Sequence, residues 1–230
     1  MGVGQGIIAA IHRYREWRKK RASGTIAAFL RAGGNVMLWS DLPVSADTLV
    51  VDAGGFDGSW SKEVLIRYGC RALIFEPVPD YARHLRNVFG RNNRVEVVQG
   101  ALFGRDGEGT MGVAAYSSSL FLRTAARTVT VPLLDVARVF RERDLTDVAC
   151  LSLNVEGSEY DILDRLVETG LMRRVRSLVV QFHQNVPEHV ARRAVIQRSL
   201  ALTHEKRFDF PFVWECWIRA DAGRPAGAAP

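Results

Sequence analysis

Between Thr48 and Leu202, short apolar runs rich in β-branched residues alternate with stretches of helical periodicity. No other feature of the chain constrains its fold as strongly. Strands are predicted over residues 48–52, 71–75, 95–98, 148–153 and 178–182. Helices are predicted over 59–68, 79–89, 133–141, 158–169 and 187–202, the first closed by Gly69 and the fourth by Gly170. Strands separated by helices return in parallel, and strands apolar on both sides need a helix layer on each face. The last two runs, 205–210 and 212–219, are separated only by Pro211 and predict an antiparallel hairpin at one edge of the sheet. Residues 104–131 interrupt the rhythm with glycines, Ser117–Ser119 and the alternating Thr128–Val131, and read as an insertion of small strands near the working face.

A length of 230 residues suits one such core with short appendages. The net charge of +6 is concentrated at one end: Arg13, Arg15, Arg18, Lys19, Lys20 and Arg21 against Glu16 contribute +5. The remaining body is nearly neutral, so a nucleic-acid partner is not expected. Ile7, Ile8, Ile11, Tyr14 and Trp17 recur at helical spacing beside this cluster, so residues 7–21 read as one amphipathic helix. That helix fits packing on the body, peripheral contact with an anionic membrane surface, closure over the site, or a homo-oligomer contact. Cys70, Cys150 and Cys216 form no CxxC pair and read as buried, reduced thiols of a cytoplasmic protein. No apolar run approaches the roughly 20 residues of a membrane span, and no signal-peptide pattern is predicted.

In a doubly wound sheet the ligand lies at the carboxyl ends of the strands, where strand order reverses, and the first strand-to-helix turn contributes most. That turn is Asp52-Ala-Gly-Gly-Phe-Asp-Gly58 followed by Ser59. Gly54 and Gly55 let the backbone approach a ligand, the next helix offers free N–H groups to a carboxylate, and Asp52 is an acceptor for an ammonium group. Phe56, Asp57, Gly58 and Ser59 complete the predicted cradle. The three-glycine dinucleotide fingerprint is missing, because Ala53 stands where its first glycine belongs. Glu76, followed by Pro77, lies 24 residues after Asp52, where an acid can bind both ribose hydroxyls of a nucleoside. Acid and turn together serve NAD and S-adenosylmethionine alike, and the missing glycines favour the latter. Gln99, Ala101 and Leu102 are expected beside the adenine.

Asn154 and Glu156 leave the otherwise apolar fourth strand at its carboxyl end, where burial without partners would cost roughly 1–3 kcal/mol each. They are expected to face the cleft. His183 ends the fifth strand and is expected beside Glu156, where a neutral imidazole is a competent general base.

These segments together resemble the FkbM family of methyltransferases. The resemblance rests on Val51-Asp-Ala-Gly-Gly-Phe-Asp-Gly-Ser59, Ile74-Phe-Glu-Pro77, Leu153-Asn-Val-Glu-Gly-Ser-Glu-Tyr-Asp-Ile-Leu163 and Gln181-Phe-His183. It implies a Rossmann-like class I methyltransferase fold with a seven-stranded, mostly parallel sheet, S-adenosylmethionine as methyl donor, and a hydroxyl of a sugar or polyketide as acceptor. By position, Asp52 to Gly58 match the cofactor loop, Glu76 the ribose-binding acid and Glu156 the glutamate after strand four. The family commonly has aspartate where this chain has Asn154, a poor ligand for hard cations, so no metal is expected. The implied domains are a basic helical appendage and linker over 1–47, a methyltransferase domain over 48–219, and a disordered tail over 220–230.

The expected reaction is O-methylation of a small molecule or glycan. His183 is its base, Glu156 orients it or acts as the base alone, and Asn154 stands with them and with the cofactor. Ser118, Ser119, Trp214 and Glu215 are the candidate acceptor-binding residues, as hydroxyls, an acid and an aromatic face suit a sugar. Two other readings are a non-catalytic cofactor-binding scaffold and a nicotinamide-dependent oxidoreductase, the latter disfavoured by the glycine spacing.

Overall fold

The computed structural model describes residues 24–114, 117–119 and 127–222. The amphipathic helix expected over 7–21 and most of the expected tail lie outside the described residues.

The apolar runs form strands β1 (Leu49–Ala53), β2 (Arg71–Phe75), β3 (Val95–Val98), β8 (Cys150–Leu153) and β9 (Ser177–Val180). β10 (His204–Phe210) and β11 (Trp214–Arg219) supply the closing hairpin. All seven make one sheet in the order β10-β11-β9-β8-β1-β2-β3. β1 pairs in parallel with β2 and β8, β2 with β3, and β8 with β9, whereas β11 is antiparallel to both β9 and β10. This is the expected class I architecture. Strand order reverses between β1 and β8, which follow in opposite directions from the centre of the sheet.

Side chains alternate across the strands and fill two cores. Val51, Ala53, Leu73, Phe75, Leu151, Leu153, Leu178 and Val180 face one side. There they meet helices α5 (Val136–Glu142), α6 (Glu159–Glu168) and α7 (His189–Leu200). Val50, Ala72, Ile74, Cys150 and Val179 face the other, against α3 (Ser59–Tyr68) and α4 (Pro79–Phe89). All three cysteines are free thiols in this second core.

The second core also takes in Phe29, Leu38, Leu42 and Val44. Helix α1 (Gly24–Arg31) and the single turn α2 (Gly34–Met37) precede β1, and Phe29 packs edge-on against Phe210 at 5.3 Å between ring centroids. The segment from 24 to 47 is thus packed into the sheet rather than strung beside it. No helix among the described residues is long and apolar enough to cross a membrane.

The interruption after β3 is a second sheet in the order β4-β7-β5-β6, built from β4 (Ala101–Phe103), β5 (Gly107–Ala114), β6 (Ser117–Ser119) and β7 (Arg127–Asp135). The helix expected from residue 133 starts later, at Val136, because Leu133 and Leu134 pair with Ala101 and Leu102 as strand. Asp135 then caps α5, its Oδ1 accepting from Ala137 N at 2.9 Å. Ala101 joins the small core of this second sheet, and Leu102 is buried in the main one.

Phe29 is 1% exposed. Phe29→Ala is therefore expected to lower unfolding free energy by about 3–5 kcal/mol in chemical denaturation; a change below about 1 kcal/mol would mean that residues 24–47 are not integral to the domain.

Candidate functional site

The crevice opens where the loops after β1 and β8 leave the sheet on either side of the reversal point. Asn154 N still donates to Ala53 O at 3.1 Å, and Gly54 N to Phe75 O at 2.9 Å, so the loops begin in register with the strands. Gly54 has φ +86°, and a Cβ there would overlap the backbone carbonyl oxygen of Asn154. Only glycine permits both the left-handed turn and this approach. Phe56 and Glu156, in the two facing loops, have φ +45° and +54°. Side chains in that region carry strain of about 1–3 kcal/mol and gather at functional sites.

The first loop is tied down by acids. Glu76, 4% exposed, accepts from Phe56 N at 2.9 Å through Oε2 and from Val78 N at 2.8 Å through Oε1. Burial raises its pKa to about 7, against the lowering pull of those two amides. Each oxygen keeps a second lone pair for a ligand hydroxyl. Asp57 accepts from Ser59 N at 3.0 Å and Ser59 Oγ at 2.8 Å, shaping the entry to α3. The expected ammonium acceptor, Asp52, is instead buried at 3% exposure and takes a 2.6 Å hydrogen bond from Ser61 Oγ of α3. Burial raises its pKa to about 6. It acts on the loop from beneath rather than from its open side.

Across the crevice, Asn154 Oδ1 is the one buried side-chain polar atom without a hydrogen-bond partner among the described residues. An orphaned amide oxygen costs on the order of 1–3 kcal/mol unless a ligand or water donates to it. A zwitterionic nucleoside fits this arrangement. Gly54 and Gly55 let the loop lie close against Asn154 and against Ile74 and Leu85, Asn154 Oδ1 awaits a donor, and Glu76 with Pro77 closes the end of β2. Gly100 N donates to Glu76 O at 3.2 Å, which brings the Gln99–Gly100 corner beside that acid. Gln99 is exposed there. Leu102, expected beside the base, is 1% exposed and packs in the main core instead.

His183 and Glu156 do meet, with Nε2 to Oε2 at 3.6 Å. Sequence reasoning missed the second carboxylate on this ring. Glu159, 0% exposed, stands 3.3 Å from His183 Nδ1 and accepts from His183 N at 2.7 Å and Gly157 N at 2.9 Å. The signal was present as the last acid of Asn154-Val-Glu-Gly-Ser-Glu159. Burial disfavours the charged ring, but Glu156 and Glu159 outweigh it and raise the pKa of His183 to about 10. The two carboxylates thus favour the charged ring over the neutral imidazole expected from sequence. Asn185 Nδ2 donates to Glu156 O at 2.9 Å and pins the loop.

Two expected acceptor contacts are corrected. Trp214 is 6% exposed inside the second core. Glu215, 1% exposed, accepts from Arg193 Nε at 2.6 Å, Gln197 Nε2 at 3.0 Å and Trp217 Nε1 at 3.0 Å. Both serve packing of the β11 hairpin, because its side chains are covered on both faces. Ser118 and Ser119 lie in β6, the edge strand of the smaller sheet.

A family model described as the methyltransferase FkbM domain matches residues 52–214. No curated protein matches the chain. Among solved structures the chain is similar to methyltransferase FkbM from Methylobacillus flagellatus KT, at 12% identity over 94% of this chain and 60% of that one, with a TM-score of 0.49. It is also similar to a putative rRNA-methylase from Clostridium thermocellum, at 10% identity over 83% and 94% of the two chains, with a TM-score of 0.50. A precorrin-6y C5,15-methyltransferase from Geobacter metallireducens GS-15 follows at 14% identity over 81% and 85%, TM-score 0.42. At such identities the likeness is one of fold.

The raised pKa values of Asp52 and Glu76 make folding take up protons. Their contribution is fully present below the unfolded values near 4 and is lost as pH rises through about 6 and 7. Unfolding free energy is expected to fall between pH 4.5 and 7.5, and Glu76→Gln to flatten that slope; denaturant titrations showing the same slope in both proteins would contradict the assignment.

Proposed function

We propose that this chain, which belongs to the FkbM family of methyltransferases, is an S-adenosylmethionine-dependent O-methyltransferase acting on a hydroxyl of a small molecule or glycan. The observation that carries this reading is the meeting of Glu156 and His183 at the carboxyl ends of β8 and β9, on the loop that also holds the unpartnered Asn154 Oδ1. When bound, S-adenosylmethionine supplies the methyl group for in-line transfer from its sulfonium. The residues divide between holding that donor and preparing the acceptor.

On the donor side, Gly54 and Gly55 let the loop pack close to its neighbours, and Glu76 would accept from the ribose hydroxyls. Asn154 Oδ1 accepts one hydrogen bond from the bound zwitterion. Asp52 and Asp57 hold the loop in shape through Ser61 and Ser59.

On the acceptor side, an alcohol is a weak nucleophile and has to be aligned and relieved of its proton as charge develops. Glu156 is the proton acceptor: its side chain is 26% exposed, against 13% for His183. The ring of His183 holds Oε2 of Glu156 through Nε2. As the acceptor oxygen gains the methyl group, its proton passes to Glu156.

Glu156→Gln is expected to lower kcat by roughly 10²-fold or more while calorimetry finds S-adenosylmethionine affinity within about twofold of wild type. The acceptor itself is sought by mass spectrometry of extracts incubated with isotopically labelled S-adenosylmethionine. Label on a hydroxyl oxygen supports the reading. Label on nitrogen or carbon, or cofactor binding with no product at all, would overturn it.

A further inference from the structure

Glu159 takes no part in the reaction as described, yet it is the most enclosed carboxylate of the crevice. It is 0% exposed in the first turn of α6, so neither donor nor acceptor reaches it. Its oxygens are nevertheless committed to three groups of the acceptor side. Oε2 accepts from Gly157 N at 2.9 Å, in the loop that puts Glu156 into its left-handed conformation. Oε1 accepts from His183 N at 2.7 Å and lies 3.3 Å from His183 Nδ1.

A buried carboxylate is costly unless hydrogen-bonded and paired. Here the cost is met by two backbone donors, an imidazole N–H and a helix N-terminus, whose partial positive charge favours an anion. Tyr160, the next residue, donates from its hydroxyl to His183 O at 2.8 Å, fixing the same backbone from the other side. The other charges near this cluster are Arg192, whose guanidinium lies over the Tyr160 ring at 5.2 Å, and Arg193, over the Phe182 ring at 5.9 Å. The groups that face the imidazole itself are the carboxylates of Glu156 and Glu159, and they set its charge.

Resting on the O-methyltransfer reading, we propose that Glu159 is the positioning residue of the acceptor side. It holds the His183 ring by Nδ1 so that Nε2 points to Glu156, and by the Gly157 amide it fixes the loop from which Glu156 projects. Glu159 touches no reacting atom and works through these two residues. Its arrangement is that of a buried acid orienting a catalytic histidine, with the difference that the histidine's far nitrogen meets a second carboxylate in place of a nucleophile.

The test follows the His183 ring by NMR in the full-length protein without acceptor, so it does not depend on turnover. In Glu159→Gln, folded as judged by circular dichroism, the His183 titration midpoint is expected to fall by about one pH unit or more, and kcat by roughly 10- to 100-fold with cofactor affinity unchanged. An unchanged midpoint in that variant overturns the proposal. Should Glu159→Gln not fold, Glu156→Gln leaves Glu159 as the sole carboxylate on the ring. Its midpoint is expected to stay at least about one unit above the ordinary value near 6.5, and a return to that value overturns the proposal. Failure of any hydroxyl to accept label strikes the proposed reaction and leaves these midpoints standing.

Discussion

The organising constraint of this molecule is the contact between Gly54 and the backbone carbonyl of Asn154, where a Cβ on the glycine would overlap the oxygen. β1 and β8 are adjacent parallel strands whose helices leave toward opposite faces. Their loops diverge and leave a gap at the carboxyl end of the sheet. A bulkier residue at 54 would push the loops apart. Because the backbones touch, the orphaned oxygen, the strained Phe56 and the strained Glu156 stay within one crevice. The glycine therefore acts on both halves of the site at once.

The two halves differ electrically, and burial causes the difference in opposite ways. Asp52 and Glu76 are buried with neutral donors only, so desolvation raises them toward pH 6 and 7. Glu156 and Glu159 have the His183 ring between them, and together they favour its charged form. The unmet hydrogen bond between the two halves is at Asn154 Oδ1, on the loop that follows β8.

Much of this was legible in sequence because it depends on local order. The strand-helix alternation, the Asp52–Gly58 turn, Glu76 at the end of β2 and the Asn154–Glu159 segment are each contained within a few residues, and pattern and turn chemistry suffice for them. What escaped was set by partners distant in sequence. Three-residue β4 exists only through pairing with Leu133–Asp135, which moved Leu102 into the core and delayed the start of α5. Asp52 looked like a ligand group because Ser61, nine residues on, could not be seen to cover it.

Glu215 shows why a polar residue in an apolar strand is an ambiguous sign. Its cost of burial is the same whether a ligand or the protein satisfies it, and only the satisfying group differs. Here Arg193 and Gln197 of α7 and the Trp217 indole of its own strand take both oxygens, so no acceptor is needed. At Asn154 the same reasoning runs the other way, since its amide oxygen has no hydrogen-bond partner among the described residues. Both residues break an apolar strand. The one whose hydrogen bond is missing marks the site.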